Sequence, residues 1–144
     1  MTSTSRPLPK PDEDSEPFWR ACRDGELRMQ QCDACGEVRF RPSAVCSACL
    51  SEAFHWQALS GRGQVHSFGV VHRALVPGFD DVPYILALVD LEEGPRMTTQ
   101  IVGCDIGDVQ IDMPVVVKFT EASTEIHLPV FTPVETRLLG EEQL

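Results

Sequence analysis

Four cysteines between positions 32 and 49 have the spacing of a metal site. They form two CxxC pairs, Cys32 with Cys35 and Cys46 with Cys49. Zinc binds four thiolates in a tetrahedron at about 2.3 Å each, and each pair can supply two of them from one tight turn. Because four thiolates leave no open position for water, the spacing predicts one structural Zn2+ per chain rather than a hydrolytic centre.

The residues that follow the two pairs bear on this interpretation. Gly36 follows the first pair, where a positive φ is easily adopted. Leu50 follows the second pair, and a positive φ there would cost about 1–2 kcal/mol. A metal site that contributes on the order of 10 kcal/mol can absorb that cost. The competing reading, a redox CxxC, would need one pair and normally lies in a βαβ unit, which this sequence does not predict.

No other group of residues in the sequence predicts chemistry. Cys22 lies on the apolar stripe of a predicted helix and Cys104 follows a glycine, so both are interpreted as small hydrophobic side chains. The histidines are scattered, and the chain has no GxSxG, HExxH or phosphate-loop motif. We therefore expect a protein without catalytic residues of its own.

The composition limits which classes of partner the chain can bind and indicates its cellular compartment. The chain has 22 acidic and 12 basic residues, a formal net charge of −10, which opposes binding to a phosphate backbone. No apolar run approaches the roughly 18 residues of a membrane span. The polar N-terminus has no apolar signal region. These features predict a cytoplasmic protein, in which paired cysteines bind metal rather than form disulfides.

A short helix precedes the cysteines. Ser15 can cap it, Pro17 suits its first turn, and Gly25 can end it. Phe18 begins an apolar stripe with Trp19 beside it. Because a helix this short is marginal alone, its aromatic face must dock either on the rest of the chain or on a partner, and the sequence leaves both open.

The second half of the chain is predicted to be β-sheet. Five segments bounded by Gly or Pro turns have strand patterns: Gln64–His72, Tyr84–Leu91, Arg96–Val102, Val115–Thr120 and Ile126–Thr132. The Tyr84–Leu91 segment is apolar on both faces, which predicts a strand buried on both faces. In the fourth segment Val115, Val117 and Phe119 are predicted to face inward. Five short strands without a helical pattern favour a small closed or nearly closed barrel.

Taken together, these segments resemble one known family. The matching residues run through the helix, the cysteine pairs and the strands: Pro17-Phe18-Trp19, Gly25-Glu26-Leu27, Gln31-Cys32, Cys35-Gly36, Phe40-Arg41-Pro42, Cys46, Cys49, Ser60-Gly61-Arg62-Gly63-Gln64-Val65, Val71-His72-Arg73, Pro83-Tyr84 and Leu128-Pro129-Val130-Phe131. On these residues the chain closely resembles the zinc-ribbon and OB-fold proteins once grouped as a family of unknown function. The resemblance implies a mainly β fold with a short N-terminal helix, a rubredoxin-like zinc ribbon and a five-stranded OB-fold barrel.

Composition and strand patterns divide the chain into segments, and the resemblance spans about residues 17 to 134. The prediction is a disordered tail at 1–15, which is rich in proline, serine and charge, the helix and zinc ribbon at 16–56, the OB-fold domain at 57–134 and a C-terminal tail at 135–144. Ser47 stands where the family usually has proline. Leu50 and Asp112 stand where the family commonly has glycine. These departures affect turns and no metal ligand.

A function follows from the same resemblance. Such proteins accompany thiolase-superfamily enzymes that act on acyl-CoA, and the partner holds the catalytic residues. The expectation is a non-catalytic accessory subunit in a complex with two copies of each chain and acyl-CoA at the interface. Phe18 and Trp19 are the predicted partner contacts.

Three arginines are the predicted contacts to CoA phosphates: Arg62, Arg73 and Arg96. Guanidinium groups suit phosphate oxygens, although each could equally be an ordinary exposed arginine. Two other functions are less favoured. A single-stranded nucleic-acid binder would need aromatic platforms in a basic groove, whereas aromatic residues are 7% of this acidic chain. An independent thioesterase-like enzyme has no candidate catalytic residue.

Overall fold

The computed structural model describes residues 8–73 and 82–134. Within them the chain forms one helix, eight strands and a 3-10 turn: α1 (Glu16–Arg23), β1 (Arg28–Cys32), β2 (Val38–Arg39), β3 (Phe54–Ala58), β4 (Arg62–Val71), β5 (Tyr84–Leu91), β6 (Arg96–Ile101), the turn Ile106–Asp108, β7 (Pro114–Glu121) and β8 (His127–Pro133). Residues 1–7 of the predicted N-terminal tail and the whole predicted C-terminal tail lie outside the described residues. No helix among those described has the length and apolar character that crossing a membrane requires.

Helix α1 begins and ends close to the predicted residues. Ser15 occupies the N-cap position, but its hydroxyl accepts from the Asp12 N–H at 3.0 Å, so the predicted side-chain cap is wrong. Gly25 has a φ of +82°, and its N–H donates to the Cys22 carbonyl at 3.1 Å. The next N–H, of Glu26, donates to the Ala21 carbonyl at 2.9 Å, which completes a Schellman motif.

The zinc ribbon is a three-stranded sheet in the order β2-β1-β3. Strands β1 and β3 pair from Arg28 opposite Ala58 to Cys32 opposite Phe54. Because β3 pairs with β1 along its whole length, the ribbon sheet extends to Ala58.

A buried arginine joins the ribbon hairpin to its loop. Arg39 is 8% exposed, and its Nε donates to Gln30 Oε1 at 2.9 Å. Its Nη2 donates to the Ser43 carbonyl at 2.9 Å, and the guanidinium lies 5.0 Å from the centre of the Phe54 ring. These contacts hold the loop that carries the second cysteine pair against β1.

The other five strands form the predicted barrel. It is closed, in the order β4-β5-β6-β8-β7, and β5 has the predicted bounds. All neighbours are antiparallel except β6 and β8, which are parallel and meet at Ile101 opposite Phe131. This strand order is that of a five-stranded OB-fold Greek-key barrel.

One hydrophobic core serves the helix, the ribbon and the barrel. Its buried members include Phe18 from α1 and Met29 from β1 together with Val65, Val89 and Phe131 from the barrel. Val115 is buried, and Val117 and Phe119 pack against the core, as the alternating pattern predicts. The helix and ribbon are therefore packed on the barrel rather than tethered to it.

The expectation that β5 is buried on both faces is wrong. Its burial alternates, and Leu86 is 44% exposed. A small barrel has one interior, and no described element covers the outer face of β5 at Leu86. A long apolar strand can therefore present leucine to solvent.

Candidate metal centre and its surroundings

Two equivalent turns carry the four cysteines. In the first, the Gly36 N–H donates to the Cys32 carbonyl at 2.9 Å, and in the second the Leu50 N–H donates to the Cys46 carbonyl at 2.8 Å. Gly36 has a φ of +80° and Leu50 a φ of +65°. The residue after the second CxxC pair is therefore left-handed like Gly36 after the first pair, although it is a leucine.

The turns bring the four sulfurs together. Cys32 Sγ lies 3.5 Å from Cys49 Sγ, and Cys35 Sγ lies 3.7 Å from Cys46 Sγ. All four sulfurs lie within 4.8 Å of one another. A tetrahedron with metal–sulfur distances of about 2.3 Å has sulfur–sulfur edges of about 3.8 Å. The donor set and its dimensions therefore fit a structural zinc ion.

The nearby backbone N–H groups and the neighbouring thiols shift the pKa values of these cysteines in opposite directions. The backbone N–H of Cys35 lowers the pKa of Cys32 to about 6, and the N–H of Ala34 acts in the same direction. Although the N–H of Ser51 lowers it, the neighbouring thiols raise the pKa of Cys49 to about 12. Adjacent sulfurs cannot all ionise without compensation, whereas a divalent ion stabilises thiolates directly.

Burial and neighbours indicate a structural role for this centre. Cys32 and Cys46 are each 1% exposed, while Cys35 and Cys49 lie at the surface. His55 Nδ1 lies 2.6 Å from Asp33 Oδ1, which ties β3 to the first turn. No sequence pattern marks this pair, because 22 residues separate Asp33, inside the first CxxC, from His55. Four sulfur ligands leave no coordination position for a substrate.

The structure does not bring the three predicted CoA-binding arginines together. Arg62 begins β4 and Arg73 follows its end, so roughly 30 Å of strand separates them. Arg96 Nε donates to Asp90 Oδ1 at 2.6 Å, so its charge already has a partner. Arg62 lines a cavity of about 580 Å3 that Asp90 and Glu92 also line. The carboxylates of Asp90 and Glu92 repel a phosphate in this cavity.

The two predicted partner contacts differ in exposure. Phe18 is 3% exposed, and its ring centroid lies 4.9 Å from that of Trp19 and 6.0 Å from that of Phe40. The Phe18 side of α1 is therefore packed against the core of this chain. Trp19 is half-buried and lines a groove between α1, the ribbon and the barrel.

The fold and the site together define a zinc ribbon joined to an OB-fold barrel. Two family models match the chain: "ChsH2, rubredoxin-like zinc ribbon domain" over residues 19–55 and "ChsH2, C-terminal OB-fold domain" over residues 56–120. The solved structure described as "Ltp2-ChsH2(DUF35) aldolase" is similar to this chain at 38% identity with a TM-score of 0.79, covering 87% of this chain and 98% of that one. The chain belongs to this ChsH2-type DUF35 family of zinc-ribbon and OB-fold proteins.

Curated relatives extend the comparison. A protein of Thermomonospora curvata named "Probable enoyl-CoA hydratase alpha subunit" is 39% identical over 130 residues, which are 89% of this chain and 40% of that protein. "Benzoylsuccinyl-CoA thiolase subunit BbsA" of Geobacter metallireducens is 36% identical over 80 residues, 54% of this chain and 51% of that protein. The chain thus spans about half or less of these two relatives.

Proposed function

We propose that this chain is a non-catalytic accessory subunit of a thiolase-superfamily enzyme, a thiolase or thiolase-like aldolase that acts on acyl-CoA thioesters. The observation that carries the proposal is the likeness to the Ltp2-ChsH2(DUF35) aldolase structure, of which this chain covers 98% at 38% identity. The printed name of BbsA as a thiolase subunit supports the same class of partner. The candidate metal centre supports a structural role, because it offers no reactive position.

The proposal assigns one Zn2+ to each chain, held by Cys32, Cys35, Cys46 and Cys49. When bound, the ion closes the ribbon with four metal–sulfur bonds. The ribbon in turn packs with α1 on the barrel, because Phe18, Leu27 and Met29 belong to the shared core. The metal thereby fixes the surface that the subunit presents to its partner.

The acyl-CoA is proposed to lie at the interface with the partner, in a cytoplasmic complex with two copies of each chain. Of the three arginines, Arg62 and Arg73 are the better candidates for phosphate contacts, because neither forms an ion pair with a described residue. The carboxylates of Asp90 and Glu92 near Arg62 weaken that site without pairing with the guanidinium. Arg96 would first have to leave Asp90. The proposal predicts that Arg62→Gln raises the KM of the complex for its acyl-CoA more than Arg96→Gln does.

The test is to recover the partner and rebuild the complex. The full chain is tagged in its native host, and the co-purifying protein is identified by mass spectrometry. The two proteins are then purified separately, mixed, and measured for stoichiometry by light scattering and for acyl-CoA cleavage with and without this chain. A thiolase-superfamily partner that gains stability or activity on mixing supports the proposal.

The controls separate the metal from the other thiols. Cys46→Ser is expected to abolish assembly, whereas Cys104→Ser, which changes a half-buried thiol outside the cluster, should leave it intact. A chain that stays monomeric with the purified candidate and binds no CoA would contradict the proposal. Turnover of an acyl-CoA by the isolated chain would contradict its non-catalytic part.

A further inference from the structure

The outer face of β5 and β6 carries no charge along its middle, where it presents two leucines beside two uncharged polar residues. Ile85, Ala87 and Val89 point inward and are buried, so the residues between them point outward. The outward set, named here the outer β5–β6 face, consists of Leu86 and Leu88 on β5 with Gln100 and Thr98 opposite them on β6. Leu86 is the most exposed of these leucines, at 44%.

A notch lies on the β4 side of Leu86. Gly69 pairs with Leu86, is exposed, and has open space where a Cβ would stand. The absence of a side chain there leaves a cavity of about 210 Å3 beside the two leucines. A β-branched residue at position 69 would cover part of the apolar surface of Leu86. Glycine leaves that surface exposed.

A larger groove lies on the other side of Leu86. Its volume is about 530 Å3, and α1, the ribbon and the barrel all contribute to it. Among the residues that line it are Trp19, Phe40, Pro42, Met97 and Leu128. Strands β6 and β8 pair only at Ile101 and Phe131, and this early separation opens the groove. Leu86 and Thr98 line both the groove and the notch, so Leu86 forms a ridge between two apolar concavities.

Charge limits what can cover this face. Asp90 lies at one end of the outer β5–β6 face. It forms an ion pair with Arg96, and its Oδ2 lies 3.4 Å from His66 Nδ1. OB-folds bind oligonucleotides on the equivalent strands with a basic, aromatic surface. Here the only basic residue at the β5–β6 pair is Arg96, and its charge is paired within the part of the chain that is described. One acidic and one basic residue, Asp12 and Arg41, also line the groove, so charge of neither sign dominates it. In a chain of net charge −10, the uncharged middle of the β5–β6 pair therefore complements a partner surface that is itself largely uncharged.

We propose that the outer β5–β6 face, with the groove and the notch, is the surface that docks on the enzyme partner, through a patch centred on Leu86 that seats one partner side chain on each side of that leucine. This inference rests on the proposed function for the existence of that partner. A protein surface can fill both concavities at once, because they share Leu86 and Thr98 as their common wall. Exposed apolar patches of this kind in soluble domains commonly mark interaction sites.

The test uses the complex rebuilt from purified partner and full chain, and compares Leu86→Glu with Ile111→Glu. Both positions are exposed apolar residues, 44% and 55%, and Ile111 lies outside the face and its cavities. Leu86→Glu is expected to weaken binding about 30-fold, the effect of losing a central interface residue. Ile111→Glu is expected to change it less than about threefold, the effect of a residue outside the interface.

A second variant guards against misfolding. Gly69→Lys adds a side chain where the structure has open space and no positive φ, so it fills the notch without strain. It should weaken binding while the melting temperature of the free chain stays unchanged. Hydrogen exchange in the complex should slow in peptides from 84–101 and not in those from 106–112.

Each remaining outcome overturns the inference. Unchanged binding by both Leu86→Glu and Gly69→Lys would place the partner elsewhere and leave the proposed function standing. Dimerisation of the isolated chain that Leu86→Glu abolishes would assign the face to a second copy. Binding of free CoA to the isolated chain that Leu86→Glu abolishes would make it a ligand site. Failure to find any acyl-CoA enzyme partner would remove the proposed function and this inference with it.

Discussion

Different interactions stabilise the zinc ribbon and the barrel. In the ribbon, strands of five, two and five residues pair beside two exposed and two buried cysteines. In the barrel, strands of six to ten residues close on one another around side chains such as Val65, Val115 and Phe131, each 0% exposed. A segment too small for its own core needs metal bonds, whereas a closed sheet is stabilised by burial. Each region should therefore respond to a different perturbation.

Removal of the metal should produce the largest difference between the regions. Chelation, or Cys46→Ser, removes a contribution on the order of 10 kcal/mol from the ribbon. Amide protection at residues 28–58 is expected to disappear while the barrel strands keep theirs, as measured by hydrogen exchange. Assembly with the partner should be lost as well.

Cys104→Ser is the control, since it makes the same chemical change outside the cluster. A zinc-free chain that still forms the full complex with normal stability would refute the structural role of the metal. Simultaneous loss of protection in ribbon and barrel would show that the two regions unfold as one unit.

A cavity in the barrel should have the converse effect. Phe131→Ala removes a fully buried ring where β6, β7 and β8 meet, and is expected to lower the free energy of unfolding by about 3–5 kcal/mol. Zinc content per chain should stay constant because the ligands are local to the ribbon. Urea denaturation and metal analysis measure the two quantities. Ile111→Ala, at an exposed position, should cost less than about 0.5 kcal/mol. Loss of zinc with Phe131→Ala would contradict the independence of the ribbon.

The left-handed residues allow a matched comparison of turns. Leu50 in the ribbon has a φ of +65° and is 75% exposed, and Asp112 before β7 has a φ of +68°. Leu50→Gly is expected to stabilise the chain by about 1 kcal/mol, because glycine removes the strain at some cost in chain entropy. Asp112→Gly should gain less, since aspartate adopts this conformation more readily than leucine. Thermal denaturation of both variants decides the order. A destabilising Leu50→Gly would show that the leucine makes stabilising contacts.

The smallest effect is expected from an ion pair on the barrel surface. Hydrogen bonding from Arg96 holds the pKa of Asp90 below its usual value, and His66 acts in the same direction. The folded pKa lies below the unfolded one, so the stabilisation is present above the usual aspartate range and is lost as pH falls through the folded pKa. Both side chains are about half exposed, so solvent screening keeps the contribution of the pair to stability small.

Arg96→Gln should raise the pKa of Asp90 in an NMR titration and reduce stability at neutral pH but not in acid. High salt should shrink the difference, since exposed charges are screened. An unchanged Asp90 titration in Arg96→Gln would mean that the pair does not persist in solution.

Sequence patterns predicted most of what is local. The two CxxC pairs identified the four sulfurs that the structure brings within 4.8 Å. The bounds of β5 were predicted to the residue, and those of the other barrel strands within two residues. Metal spacing, turn residues and alternation depend on neighbours in the chain, so these features can be read without a fold.

Predictions that depended on distant contacts fared less well. One local prediction was wrong as well, because the Ser15 hydroxyl accepts from the Asp12 N–H instead of capping helix α1. Phe18 was placed in the core by packing against ribbon and barrel, which no helical pattern reveals. Arg62 begins β4 and Arg73 follows its end, so a long strand separates two of the three arginines that the sequence analysis grouped together.

The sequence by itself determined the metal centre and the strand segments. The cysteines of each CxxC pair lie in one turn, and the alternation of a strand is read from adjacent residues. Only the tertiary structure decided that β5 turns Leu86 to solvent. Closure of the barrel sets which face of each strand is the interior, and the position of α1 and the ribbon sets which outer surface stays uncovered. Those choices follow from pairings such as Ile101 with Phe131, whose sequence separation hides them from any local pattern.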